Sequence, residues 1–412
     1  MSEPADSAAA PVSLLRHKQF ALYWFTRILS TAGYQIISVA IQWEIYQLTD
    51  SALHLGIIGL VMFIPVIAGT FVIGHVADHY DRRRVINVCQ ISKALGAFIL
   101  IVASYTGHMT VPLIYAVVFI VGTGRAFEGP TLHTIPPSIL PQEILSRGIA
   151  AGATAHQMAV IGGPALGGFL LAAGTNAVYY VCLAMFVIAS VFISLVKIER
   201  PAKVKKAATL ESVLAGYTYI KSRPVIFGAI TLDLAAVLVG GVTALLPIFA
   251  RDILDAGPEG LGLLRASPAA GALLMSFYLS NVQIDKHAGR IMIGAVVIYG
   301  LATAVFGFST WLPLSMLMLG VVGAADSVSV VVRHSLVQTR TPNEMLGRVM
   351  AVNSTFTGTT SNLGQFEAGA VAALIGAGPA ALVGGIAAAT IAVVWIKLFP
   401  DFWRVQSVIP EK

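Results

Sequence analysis

A small set of charged side chains lies inside long apolar runs of this chain: Arg27, Arg125, Glu128, Asp233, Asp326, Arg333 and Glu367. A charge at the middle of a membrane-spanning helix costs roughly 2.5–3.5 kcal/mol, so such a residue normally faces a partner, a cavity or a proton path. The acids are therefore candidates for taking up and releasing a proton, Asp233 and Asp326 first, with Glu128 and Glu367 next. Arg27, Arg125 and Arg333 are candidates for cavity charges. Each of these residues can instead be half of a buried structural ion pair. Glu44 and Lys93, nearer the ends of their runs, read as interface or snorkelling residues, and His156 reads as a hydrogen-bonded packing histidine that could also titrate near neutral pH. No Gly-x-Ser-x-Gly elbow, His-Glu-x-x-His pair or phosphate-cradling Gly-Lys-Ser/Thr loop occurs, so neither an enzyme nor a nucleotide-driven machine is expected. Cys89 and Cys182 each stand alone, which leaves no CxxC metal or redox site. No cofactor and no metal are expected.

The elements that would hold these side chains are membrane helices. Of 412 residues, 57% are hydrophobic and only 11% charged, with a mean hydropathy of +0.81; soluble domains carry roughly 25% charged residues. A span needs roughly 20 apolar residues, which divides the chain into about twelve transmembrane helices with short connections. Apolar runs and their breaks predict spans over Phe20–Tyr46, His54–Val76, Val85–Tyr105, Val111–Ile135, Gly148–Ala172 and Ala177–Lys197. A second set covers Val225–Ala250, Leu261–Val282, Ile291–Phe308, Leu312–Val332, Val349–Ile375 and Pro379–Phe399. The polar segment Met1–Lys18 has no signal-peptide apolar core, so the first span reads as retained.

The net charge of +6 follows topology rather than nucleic-acid binding, because the cations fall between spans with no interleaved aromatic residues. Arg82, Arg83, Arg84, Arg147, Lys197, Arg200, Lys203, Lys205, Lys206, Lys221, Arg223, Lys286, Arg290, Arg340 and Arg348 fall on one side. Arg251 and Arg265 are left for the other. That asymmetry places both termini in the cytoplasm. The stretch 199–224 joins the halves as a Lys-rich linker with a surface helix near Leu210–Ile220. Shifting the chain by about half its length lays Pro141-Gln-Glu-Ile-Leu-Ser-Arg147 over Pro342-Asn-Glu-Met-Leu-Gly-Arg348, Gly163 over Gly364, Gly168 over Gly369, and Arg125 over Asp326. Two six-span halves related by duplication are implied, and the last match lets Arg125 and Asp326 face each other across the pseudo-two-fold axis.

After the second span comes Gly74-His-Val-Ala-Asp78-His-Tyr-Asp81-Arg82-Arg83-Arg84. An acid followed by arginines at a helix end can act as a latch that breaks on conformational change. The run resembles the signature loop of the major facilitator superfamily, with His79 in place of a basic residue and Asp81 in place of a glycine. Gly162-Gly163-Pro164-Ala-Leu-Gly167-Gly168 resembles the helix-packing motif of that superfamily's antiporters, although ordinary small-residue packing explains it as well. Gly216 to Pro224, Leu245 to Asp252, Gly257 to Arg265, and Arg333 through Val349 are similar to the enterobactin-exporter branch, which also contains drug and macrolide efflux proteins.

The resemblance implies an all-α membrane protein of about twelve helices in two pseudo-symmetric six-helix bundles. It divides into a cytoplasmic segment 1–18, a bundle 19–198, the linker 199–224, a bundle 225–400 and a cytoplasmic tail 401–412. It further implies a monomer in a bacterial inner membrane that exports a small amphipathic or siderophore-like solute by proton antiport, with solute, protons and the lipid bilayer as partners and no nucleic acid. A facilitator or importer of the same fold, and a non-transporting sensor or scaffold, are the alternatives. Charge asymmetry makes the orientation directly testable: a single cysteine at Thr175 is expected to react with an impermeant thiol reagent from outside intact cells, and one at Asn343 only after permeabilisation.

Overall fold

The computed structural model describes residues 14–198, 210–282 and 286–407, with the backbone alone described at Leu15, 70–79, 210–213 and Asn343. Among the described residues every regular element is helical, as a bilayer demands of a chain whose backbone polar groups must be satisfied within each segment. The long helices are α1 (Lys18–Thr49), α2 (Ala52–His79), α3 (Arg82–Thr106), α4 (Val111–His133), α5 (Gln142–Ala172) and α6 (Thr175–Leu195). After the linker helix Leu210–Lys221 come α7 (Pro224–Gly240), α8 (Gly257–Asn281), α9 (Ala288–Phe308), α10 (Leu312–Arg340), α11 (Asn343–Ile375) and α12 (Ala377–Leu398).

Among the described residues ten helical segments are long and apolar enough to cross a membrane, that of α7 running on through Ile253, while α1 and α11 fall short on composition. Their Ser, Thr, Asn and Gln residues explain why, and both helices are walled in by neighbours rather than by lipid alone. Several helices outrun the expected spans on their polar side: α5 starts at Gln142, α10 continues to Arg340 and α11 starts at Asn343. Hydropathy marks the bilayer, not the helix end. Tight turns separate the helices, with Gly107 (φ 70°) closing α3 and Gly376 (φ 89°) standing between α11 and α12, a left-handed backbone that glycine adopts at no steric cost.

Packing within the halves follows one plan used twice. In the first, α1 packs on α5 and α6, α3 on α4 and α6, and α2 on α4. In the second, α7 packs on α11 and α12, α9 on α10 and α12, and α8 on α10. The halves meet through α2 against α11 and α5 against α8, which the same symmetry exchanges. Glycines set these crossings. A Cβ on Gly168 of α5 would stand 2.6 Å from the Pro258 carbonyl oxygen and 2.7 Å from Gly262 Cα of α8, and one on Gly369 of α11 would stand 2.5 Å from Gly56 Cα of α2. Gly163 and Gly167 meet α1 at Gln35, Ala32, Ile36 and Val39, while Gly364 meets α7 at Val237 and Leu238. Among the described residues, the approaches of the two halves under 3 Å all fall toward the end that carries the α1–α2, α5–α6 and α11–α12 turns.

That end is also pinned by polar contacts between halves. After α7 the chain makes a π-helical turn, Phe249–Ile253, which presents Arg251 and Asp252 to the end of α1. Arg251 pairs with Asp50, donates from Nε to Asp252 Oδ1 at 2.7 Å and lies over the Tyr46 ring at 4.1 Å, while the Tyr46 hydroxyl donates to Asp252 Oδ2.

Two expectations need correction. Arg265 does not lie in a loop; it sits more than two turns into α8, partly buried. Lys93 does not snorkel: its side chain is fully buried, because an acid on the neighbouring helix holds it there.

The contact at Gly168 is the one most sensitive to volume. Gly168→Val is expected to open the α5–α8 end, read as a longer distance population between spin labels at Gln47 and Glu259, whereas Gly162→Ala, where a Cβ meets nothing within 4 Å, is expected to leave that distance unchanged.

Candidate functional site

Each half is stitched by one buried ion pair whose partners come from different helices. In the first half, Lys93 of α3 donates to Glu128 Oε2 of α4 at 2.5 Å and to Ser30 Oγ of α1 at 2.5 Å. Gln90 Nε2 donates to Glu128 Oε1 at 2.6 Å, and Ser30 donates to the same oxygen. The side chains of the pair are 0% and 1% exposed, and the Phe186 ring of α6 lies 5.0 Å from the ammonium. Both carboxylate oxygens are thereby occupied. Such a pair survives burial because hydrogen bonds and an opposite charge replace the lost water.

In the second half, Arg333 of α10 faces Asp233 Oδ2 of α7 at 3.3 Å. Ser329 donates to Asp233 Oδ1 at 2.8 Å, and Arg333 Nη1 donates to Asn353 Oδ1 at 2.6 Å and Thr357 Oγ1 at 2.9 Å, both on α11. Asp233, with no basic residue in its own span, thus finds one on another. Asp326 lies seven residues before Arg333 on α10. It senses the charges of Asp233 and Arg333, yet among the described residues it accepts no hydrogen bond and joins no salt bridge.

The structure does not bring Arg125 and Asp326 together. Arg125 of α4 lies over the Tyr34 ring of α1 at 5.4 Å, whereas Asp326 belongs to the Asp233–Arg333 region. Arg27 of α1 is buried and donates from Nη1 to the Tyr23 hydroxyl at 2.8 Å. His156 of α5 is partly buried, its Nδ1 lying 3.4 Å from Thr31 Oγ1, and Glu367 of α11 is partly buried without a hydrogen bond to a described residue.

At the α2–α3 turn, the side chains of Gly74 and Asp78 lie outside the described residues. The arginines that follow are held within the first half: Arg82 donates to Ser138 Oγ at 3.2 Å, and Arg83 donates to the Val196 carbonyl at 3.1 Å and pairs with Asp81 at 2.8 Å. Arg84 lines an apolar groove of about 580 Å³ between α3 and α4, with Tyr80, Val88 and Phe119. Asp81 caps α3 by accepting from the Arg83 backbone N–H at 2.9 Å, and the hydrogen bonds from Arg83 hold its carboxyl below the usual carboxylate range. A residue that breaks the signature pattern thus has a local task as a helix cap.

Sequence comparison settles what kind of machine carries these groups. The Transmembrane secretion effector family matches residues 7–407 of the chain. The chain belongs to that family. Over 407 residues it is 25% identical to the enterobactin exporter EntS of Citrobacter koseri, covering 97% of this chain and 96% of the relative, and 23% identical with the same coverage to EntS of an Escherichia coli strain. Among solved structures, a mutant of the nucleoside transporter NupG superposes with a TM-score of 0.74 at 15% identity, over 92% of this chain and all of the other. A bacterial homologue of the lysosomal transporter Spinster, inward-facing and unoccupied, gives 0.72 at 13% identity over 94% and 98% of the two chains. The fold is that of the major facilitator superfamily, and the protein is a secondary transporter of small solutes, integral to the membrane and not an enzyme.

Reading along the sequence missed Lys93, Gln90, Ser30, Ser329 and the Tyr46–Asp50–Arg251–Asp252 cluster. Serines and a glutamine in apolar runs were the available signal, since each must find a partner in the membrane. For this secretion-effector transporter the buried pair should behave as a unit: Lys93→Met alone is expected to destabilise the purified protein by about 3–5 kcal/mol, because it strands Glu128. The double variant Lys93→Met/Glu128→Gln should recover much of that loss in thermal unfolding.

Proposed function

We propose that the protein exports a small amphipathic or siderophore-like molecule from the cytoplasm of a bacterium, exchanging it for protons by alternating access. The full-length similarity to enterobactin exporters supports outward transport of that solute class. The loop-charge asymmetry supports cytoplasmic termini, and in that orientation the end closed by the α5–α8 and α2–α11 crossings faces outward. The opposite end is then the loading side, as alternating access requires of an exporter waiting for its solute.

One observation carries the coupling reading: among the described residues Asp326 is a membrane-embedded carboxyl with no ion-pair partner, while Asp233 and Glu128 are each bound to a cation. A group that carries a proton in every cycle must be free to gain and lose it without dismantling the scaffold. Asp326 meets that condition, and its nearness to the Asp233–Arg333 pair supplies a route by which its charge biases how α7, α10 and α11 pack. Asp233, through its pair with Arg333, then serves as the responsive element rather than the carrier.

In everted vesicles, Asp326→Asn is expected to abolish pH-driven solute accumulation while sparing downhill exchange in proteoliposomes. Unchanged uphill transport with unaltered pH dependence in Asp326→Asn, and also in Asp326→Asn/Asp233→Asn, would remove both acids from the coupling step.

A further inference from the structure

Among the described residues, the buried acid of the first half is matched, whereas several arginines of the two halves are not. Glu128, the acid whose charge reaches Arg125, has both oxygens taken by Lys93, Gln90 and Ser30. Among the described residues Arg125 is left with the face of Tyr34, a contact that does not replace a counter-ion. Arg27, seven residues before Tyr34 on α1, has only the Tyr23 hydroxyl among the described residues.

Arg265 is the clearest case. It enters from the other half on α8, its Nη1 is buried with no hydrogen-bond partner, and no salt bridge reaches it among the described residues. Tyr34, a neutral phenol within electrostatic range of both Arg125 and Arg265, donates its hydroxyl, among the described residues, to Met62 Sδ at 3.8 Å. Gly262, three residues before Arg265, packs on Pro164 of α5, and the adjacent Gly163 packs on Gln35, next to Tyr34, so an arginine from each half stands in the neighbourhood of that tyrosine. His133 and His156 lie within reach of Arg27 and Arg125 and bring no negative charge.

Burying a guanidinium without a partner is costly, a cost that a ligand anion would remove. Guanidinium forks match planar oxyanions in a bidentate geometry, and the Tyr34 hydroxyl adds a donor in the same place. We propose that Arg125 and Arg265, with Tyr34 in reach of both, bind an anionic group of the transported solute, a carboxylate or a planar oxyanion of similar shape. This rests on the transport reading above and narrows it: the solute carries a negative charge. Because the two arginines sit on opposite halves, the bound anion screens their repulsion, and its affinity changes as the halves rock, which is the differential binding that alternating access needs.

The test uses purified full-length transporter in detergent, with no gradient, and salicylate as the oxyanion probe beside its neutral amide, salicylamide. Salicylate is expected to raise the unfolding temperature in a concentration-dependent way and salicylamide is not. Arg125→Gln and Arg265→Gln should each weaken salicylate by about tenfold or more, Arg265→Lys should weaken it less because the charge remains, and Arg290→Gln, exposed on α9, should leave it unchanged. Without probe, Arg265→Gln should unfold no lower than the parent, since it loses no partner; a structural arginine would show the opposite. Equal stabilisation by salicylamide, full salicylate affinity in Arg125→Gln/Arg265→Gln, or a destabilised probe-free Arg265→Gln would overturn the site. Those results would leave proton-coupled export standing, whereas salicylate binding in a protein without pH-driven flux would sink the export reading and keep the site.

Discussion

Everything in this protein turns on one constraint: inside the bilayer a polar group must find its partner within the chain. The backbone meets it by staying helical, with turns confined to short connections. Side chains meet it by pairing between different helices, Lys93 with Glu128 across consecutive helices and Arg333 with Asp233 across helices a hundred residues apart. Where the constraint is left unmet, as at Asp326 and at Arg265 Nη1, the chain holds groups whose cost is not offset by the resting structure.

The two halves share a packing plan but not a chemistry. Their helices make the same pairs, and Gly163 and Gly168 are matched by Gly364 and Gly369 in both register and contact. Yet the position of Glu128 is taken by Ser329 in the second half, and that of Arg125 by Asp326. Duplication has kept the small residues that let backbones touch and exchanged the ones that carry charge. Close packing tolerates little variation in volume, whereas a charge can be relocated once its partner moves with it. Hence, among the described residues, the first half leaves Arg125 without a counter-ion, and the second leaves both Asp326 and Arg265 without one.

This division explains what could be read from the residues alone. Span number and the internal repeat were legible because both rest on local composition and register, and charge asymmetry supplied an expected orientation on the same local footing. The acids and arginines in apolar runs were legible as a set, since hydropathy exposes them one by one. Their pairing was not. Lys93 looked like a snorkelling residue because its partner lies on α4, and Arg265, although inside the expected span Leu261–Val282, was grouped with the topology cations because it stands near that span's start. Asp233 looked free because its cation stands a hundred residues away. Helix composition is local information, but an ion pair is a statement about two helices and their rotation.

The closed end shows which forces hold a conformation that must also be released. Arg251 and Asp50 form an ion pair that is 30% and 72% exposed, and exposed pairs contribute about 0–1 kcal/mol. The Tyr46 hydroxyl on Asp252 adds a hydrogen bond whose net worth is about 0.5–1.5 kcal/mol. Neither suffices to hold two six-helix bundles together. The glycine crossings differ in kind, because Gly168 on Gly262 and Gly56 on Gly369 bring backbone against backbone, so many atom pairs gain about 0.1–0.2 kcal/mol each only while the fit is close. A contact of that sort is collective: it fails as a unit when the helices separate, without stranding a charge. The polar cluster then fixes the register at which the helices meet, and the small residues supply the attraction. A transporter that must open this end in every cycle gains from placing its tightest grip on dispersion, whose loss leaves nothing unsatisfied in the membrane.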